Sequence, residues 1–167
     1  MPQAVDEIRI RNDLRMGDVG AVIRLHGEVY AREQGWDWRF EAFAAGTFGR
    51  ISERWEPSRD RIWIAERAGE VVGCIAILAV DEGVAQLRWF LVVPSARGRG
   101  LGRLLIDEAL SFCRSAGHSR VFLWTTASLA AAAHLYRSRG FVLTHQETLE
   151  RWGAVVTEER YDLDLSP

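Results

Sequence analysis

The sequence predicts an α/β fold, a mixed central β-sheet of about seven strands with about four flanking helices. Three observations carry this. Short stretches alternate apolar and polar residues with the period of a strand, and longer stretches repeat apolar residues with the period of a helix. The two kinds are interleaved along the chain rather than segregated. At one place a strand passes through a Gly-rich bend directly into a helix.

Each element has its own signal. Glu7–Asn12 alternates as a strand, and Asp18 is placed to cap a helix running to about Arg32, with Val19, Val22, Ile23, Val29 and Tyr30 as its apolar positions. After Gly35 a second helix is predicted from about Arg39 to Arg54, ahead of Pro57. Ile62–Glu66 and Val71–Val80 read as strands joined by the turn Ala68-Gly69-Glu70, and Asp81-Glu82-Gly83 leads into a strand over Ala85–Val93 that Pro94 ends. A helix follows from about Gly100 to Ala116, closed by Gly117. Arg120–Thr125 is a short, mostly apolar strand, then comes a helix over Leu129–Arg139, and Phe141–Leu149 and Val155–Leu165 are the last strands. The order is β-α-α-β-β-β-α-β-α-β-β.

Composition bounds the function. A chain of 167 residues with 48% apolar residues suits a single domain over 1–167 with a real core. The formal charge of −2 argues against a general affinity for nucleic acid, which needs a basic surplus. No apolar run approaches the roughly 18–20 residues of a membrane span, and Met1 to Arg11 lacks the apolar core of a signal peptide, so a cytoplasmic protein is expected. Cys74 and Cys113 sit in apolar stretches and read as buried free thiols, while His118, His134 and His145 show no ligand spacing, so no metal is expected.

The segment Leu91 to Leu105 carries the chemistry. A strand ends near Val93, then Arg97, Gly98, Arg99, Gly100, Leu101 and Gly102 lead into a helix containing Arg103. Glycines let the backbone turn tightly, and the first amides of the helix have no internal acceptors and lie at the positive end of its dipole. Together with three arginines they form a cradle for a pyrophosphate. A P-loop is excluded because no Gly-Lys-Ser/Thr follows, and a dinucleotide fingerprint fails because the sixth position counted from Gly98 is Arg103.

Arg97-x-x-Gly100-x-Gly102 between a strand and a helix resembles the central motif of the GNAT superfamily of N-acetyltransferases. Further on, His134-Leu135-Tyr136-Arg137-Ser138-Arg139-Gly140-Phe141 resembles the family's Leu-Tyr-x-x-x-Gly-Phe signature. The segment from His26 to Trp36, the run Trp63-Ile64-Ala65-Glu66 and the ending Tyr161 to Leu165 resemble the acetyltransferase half of MarR–GNAT fusion proteins. The chain is then expected to be a stand-alone version without the DNA-binding half.

The resemblance implies acetyl-CoA as acyl donor and a small-molecule or peptide amine as acceptor, with no role for nucleic acid, membrane or metal. It implies that the pantetheine arm lies along Phe90, Leu91 and Val92, where that strand splays from Arg120–Thr125, and that the pyrophosphate meets the turn from Arg97 to Arg103. A backbone amide near Val92 would stabilise the oxyanion, and Tyr136 would protonate, or hydrogen-bond to, the departing thiolate. The family's strand Glu is replaced by Trp124 and a cofactor-contacting Asn by Leu129. Glu33 and His26 are then the candidate bases, seven residues apart on one helix, with a chain of waters as the alternative. The last strands of such domains often pair into a homodimer. Trp36, Trp38 and Trp152 fall in predicted loops where they could line an acceptor pocket, and Arg88 either pairs across the sheet or faces that pocket. A non-catalytic acyl-CoA sensor is the second expectation.

Overall fold

The computed structural model describes residues 7–166. In chain order its elements are β1 (Arg9–Arg11), α1 (Asp18–Gln34), α2 (Trp38–Ser52), β2 (Arg61–Arg67), β3 (Glu70–Asp81), β4 (Val84–Val92), α3 (Leu101–Ser115), β5 (Arg120–Thr126), α4 (Ala130–Ser138), β6 (Val142–Arg151) and β7 (Ala154–Asp164). This is the predicted order. A single 3-10 turn over Pro94–Ala96, not anticipated, follows β4. The strands form one sheet in the order β1-β2-β3-β4-β5-β7-β6, and every adjacent pair is antiparallel except β4 with β5.

The start of α1 differs from expectation. Asp18 is the first helical residue and Gly17, in a left-handed conformation, precedes it. The Asp18 carboxylate instead accepts the Arg15 amide at 2.6 Å and two bonds from the Arg11 guanidinium at 2.7 and 2.8 Å. The guanidinium holds the Asp18 carboxyl below the usual carboxylate range. This buried pair, joined by Glu66, ties β1 and β2 to the head of α1.

The core has two main faces. Trp63, Ile75, Ile77, Leu105, Ile106 and Val121 pack on the side of α3 and α4, whereas Val22, Val29, Phe48, Ile62, Ile64 and Leu78 pack on the side of α1 and α2. Strand β3 is buried over almost its whole length, as a strand covered on both faces must be. Among the described residues no helix is long and apolar enough to cross a membrane. Both cysteines are free and buried.

Two features of β4 open the sheet. Its parallel pairing with β5 is confined to Val84↔Arg120, Ala85↔Val121 and Gln86↔Phe122. Beyond Gln86 the two strands are no longer paired, so a wedge opens between them toward their C-terminal ends. On its other edge β4 carries a bulge, because Ala76 faces Arg88 while Cys74 faces Leu91. Trp89 takes up the extra length with a φ of 49°, a conformation a bulky residue rarely adopts. The surroundings hold it there. Its indole stacks on Phe48 at 3.5 Å and 6°, its Nε1–H donates to Thr47 Oγ1 at 3.2 Å, and its carbonyl accepts the Cys74 thiol at 3.0 Å. Burial pushes that thiol's pKa up to about 12, so it stays protonated and inert.

Candidate active site

The Gly-rich bend between β4 and α3 is built as the anion cradle requires. Gly98 and Gly100 have φ of 76° and 81°, in the left-handed region. A Cβ on either would point into open space, so it is the backbone angle and not crowding that calls for glycine. The amides from Gly98 to Arg103 meet no backbone or side-chain acceptor among the described residues. They therefore present a row of free donors at the N-terminus of a 15-residue helix. At Gly102 a Cβ would meet Phe90 at 3.6 Å and Leu135 at 3.7 Å, ordinary contacts, so this position tolerates a methyl group.

The three arginines of the bend have different settings. Arg97 folds back, its Nε donating to the Val92 carbonyl at 2.8 Å and its terminal nitrogens to the Glu33 carboxylate at 2.6 and 3.2 Å. Arg99 is exposed, and neither Arg99 nor Arg103 forms an ion pair among the described residues. Glu33 thus packs against the Gly-rich bend and does not line the cavity described next.

A cavity of about 310 Å³ lies where the wedge between β4 and β5 meets α1, α2, α4 and the β6–β7 turn. His26, Arg88, Trp89, Phe90 and Tyr136 all line it. The structure therefore brings Tyr136 and His26 into one chamber and leaves Glu33 outside it.

Tyr136 is almost wholly buried, its ring against Phe90, Phe141 and Tyr161 at 5.8–6.1 Å between centroids. Its hydroxyl has no hydrogen-bond partner among the described residues. Among the described residues no fully buried side-chain polar atom is left unpaired, so this hydroxyl opens into the cavity. Burial, reinforced by the nearby hydroxyls of Tyr30 and Tyr161, raises its pKa and keeps it protonated. His26 donates Nδ1–H to the Val22 carbonyl at 2.8 Å, which leaves Nε2 as the acceptor nitrogen. Burial pulls its pKa down to about 4, so at neutral pH the ring is uncharged and a weak base.

Two cavity residues were not singled out by sequence reasoning. Tyr30 was read only as an apolar position of α1, yet its phenol lines the cavity with a pKa raised by burial. Glu158, on β7, also lines it and pairs with Arg151 at 2.5 Å. Only long-range pairing between β5, β6 and β7 brings Glu158 here, and the local sequence holds no signal for it. Of the three loop tryptophans, Trp36 and Trp152 line the cavity, their rings tilted at 48° with centroids 4.8 Å apart, while Trp38 is the first residue of α2 and lies exposed at 73%. Arg88 faces the cavity and has no carboxylate partner among the described residues. No group of three His, Cys, Asp or Glu among those residues converges as it would around a metal ion.

A splayed parallel pair, a bulge in its β4 strand and a helix whose first amides are free beyond the end of β4 together define the site. The model of the acetyltransferase (GNAT) family matches residues 26–141, and the chain belongs to that family. It is similar to rat N-acetyltransferase family 8 member 3, 39% identical over 87 residues, covering 49% of this chain and 38% of that protein. It is also similar to an IAA acetyltransferase of Azospirillum brasilense, 38% identical over 82 residues, covering 48% of this chain and 54% of that one. The chain thus spans about half or less of these curated relatives. Among solved structures, a GNAT-family acetyltransferase from Staphylococcus aureus Mu50 superposes with a TM-score of 0.76 at 18% identity, covering 96% of this chain and all (100%) of the other. A candidate acetyltransferase from Salmonella typhimurium, solved with its cofactor acetyl-CoA, superposes with a TM-score of 0.72 at 18% identity, covering 95% of this chain and 94% of that one. These likenesses establish the fold. They do not extend to a MarR–GNAT fusion in particular.

Proposed function

We propose that the protein transfers an acetyl group from acetyl-CoA to a primary amine by direct attack. The observation that carries this reading is the edge of β4 left unpaired beyond Gln86, which runs from Phe90, a lining residue of the cavity that holds the Tyr136 hydroxyl, toward the free amides of Gly98–Arg103. The Salmonella relative's acetyl-CoA, held on the same fold, supports the choice of donor.

In this reading the amides from Gly98 to Arg103 grip the pyrophosphate, with Arg99 and Arg103 as charged donors. The β4 backbone over Phe90, Leu91 and Val92, unpaired on the β5 side, hydrogen-bonds the pantetheine arm, and an amide near Val92 stabilises the oxyanion. The neutral amine attacks the thioester carbonyl, a C–N bond forms and the C–S bond breaks. Tyr136, held protonated by burial, hydrogen-bonds the departing thiolate or hands it a proton, which the proton shed by the amine then replaces through cavity water. The amine's proton leaves by way of His26 Nε2 or cavity water. Because the imidazole is a weak base here, it acts as an acceptor that orients the amine rather than as a strong proton sink.

The test is thiol release from acetyl-CoA across a panel of amines, with calorimetry of CoA binding alongside. Release that depends on an amine supports transfer. One observation favours a second reading, a non-catalytic acyl-CoA sensor: the cavity's own carboxylate, Glu158, is already engaged by Arg151. Binding heat with a flat response to every amine would favour the sensor.

A further inference from the structure

The acceptor half of the cavity holds an unbalanced positive charge. Arg88 projects from β4 one residue before the bulged Trp89, is half-buried and lines the cavity. Among the described residues it forms no hydrogen bond and no ion pair, and the charged groups that bear on it are Arg50 and Arg54, both cations. Burial and these two neighbours all lower its pKa. The other charged residues of the cavity, Arg151 and Glu158, cancel one another at 2.5 Å. A half-buried guanidinium without a carboxylate is costly to keep, and its five donors form a fork that matches one.

The aromatic wall does not redress this balance in favour of a cation. Trp36, Phe40 and Trp152 pack on one another with centroids 4.8 Å apart. Two of its rings already carry a cation, because the Arg151 guanidinium lies 5.0 Å from the Phe43 centroid and 4.5 Å from that of Trp152. A polyamine or a lysine-rich peptide would bring positive charge to a site that already has a surplus of it.

We propose that the acceptor is a small amine that carries a carboxylate, with that carboxylate seated on Arg88 and an apolar body against the Trp36–Trp152 wall. This rests on the acetyl-transfer reading for where the amino group goes, but the carboxylate seat is a property of Arg88 and can be tested without turnover. A cavity of about 310 Å³ suits a molecule of amino-acid size.

The experiment has two arms. In the first, calorimetry on the intact protein with CoA present compares N-acetylalanine, N-acetylleucine and N-acetylphenylalanine with their amides. At least one acid is expected to bind about tenfold or more tightly than its amide, and Arg88→Gln is expected to abolish the difference, as loss of a charge-assisted pair costs about 10- to 100-fold. Arg88→Lys should keep part of it, and CoA affinity should be unchanged in both variants. Equal affinity of acid and amide in the parent protein, or binding of none of the acids, overturns the proposal even if neither variant folds. In the second arm, thiol release from acetyl-CoA is followed with alanine, leucine and phenylalanine, their amides, and spermidine. Preference for the acids, with KM raised in Arg88→Gln, supports the proposal, and preference for the amides or spermidine overturns it. Acids that bind through Arg88 without thiol release would leave the carboxylate seat standing and remove the transfer reading instead.

Discussion

The Arg97 guanidinium grips the Glu33 carboxylate with bonds of 2.6 and 3.2 Å, joining the C-terminal end of α1 to the Gly-rich bend across 64 residues of sequence. The side chains are 44% and 29% exposed, so the pair is partly solvated and worth no more than about 1 kcal/mol. Its importance is positional, because it holds Glu33 away from the cavity. Glu33→Gln is therefore expected to leave kcat within about fivefold of the parent, the change that 1 kcal/mol allows. A loss of a hundredfold in steady-state thiol release would restore Glu33 as the base.

Tyr136 is expected to behave oppositely. Its ring supports Phe90, Phe141 and Tyr161, while its hydroxyl contributes no bond to the fold. Tyr136→Phe should keep the packing and the melting temperature and lower kcat by about a hundredfold, as loss of a general acid does. Thiol release at saturating amine checks this, and an unchanged rate would remove Tyr136 from the chemistry.

Much of this arrangement was legible in the sequence because it depends on local pattern. The strand and helix periods, the glycines of the phosphate bend and the Leu-Tyr-x-x-x-Gly-Phe run are all short-range signals, and the elements they predict are present in the predicted order. What escaped depends on tertiary contact. The bulge at Trp89 is held by stacking on Phe48 from another element, and nothing in Leu87-Arg88-Trp89-Phe90 marks it. Asp18 looked like a cap because Ser, Thr, Asp and Asn cap helices, but Arg11, seven residues earlier, takes its carboxylate. Glu33 was a candidate base in the sequence because its partner, Arg97, lies 64 residues away.

His26 makes a pH dependence measurable. Its pKa is about 4 in the fold, against 6.5 for an unperturbed histidine. Between those values the unfolded chain holds a proton that the native state excludes, so stability rises with pH across the window. The contribution is complete above about pH 6.5, is lost as pH falls toward 4, and amounts to about 3 kcal/mol. Asp18 adds acid sensitivity lower down, because its depressed carboxyl stabilises the fold until protonated. Melting curves between pH 5 and 6.5 therefore isolate the histidine. Parent stability should fall across that interval on acidification, and His26→Gln should flatten the slope.

The glycines of the bend separate backbone angle from crowding. Gly100→Ala forces an alanine to a φ of 81°, at a cost of about 1–2 kcal/mol, with no steric clash to confuse the result. Relaxing the angle would turn the row of amides, so CoA affinity should fall about tenfold. Gly102→Ala adds a methyl group in ordinary contact with Phe90 and Leu135, and should bind CoA within about twofold of the parent. Calorimetry with CoA distinguishes the pair. Equal losses would mean that the amides are not the ligands of the pyrophosphate.

The β6–β7 turn offers the complementary test on the acceptor wall. The Trp152 carbonyl accepts the Asp37 amide at 2.9 Å, and the Asp37 carboxylate caps α2 by accepting the Arg39 amide at 3.0 Å. Gly153 follows at a φ of 77°, where a Cβ would lie 2.7 Å from Asp37 Oδ2. Gly153→Ala must therefore distort the turn or push the cap aside, and either movement loosens Trp152 from Trp36 and Phe40. None of this touches α3 or its free amides. The variant should weaken the near-ultraviolet dichroism of the tryptophan cluster and raise KM for the amine several-fold, while binding CoA as the parent does. A parallel loss of CoA affinity would show that the two halves of the site are not mechanically separable, because the damage would have crossed β4 to reach the phosphate bend.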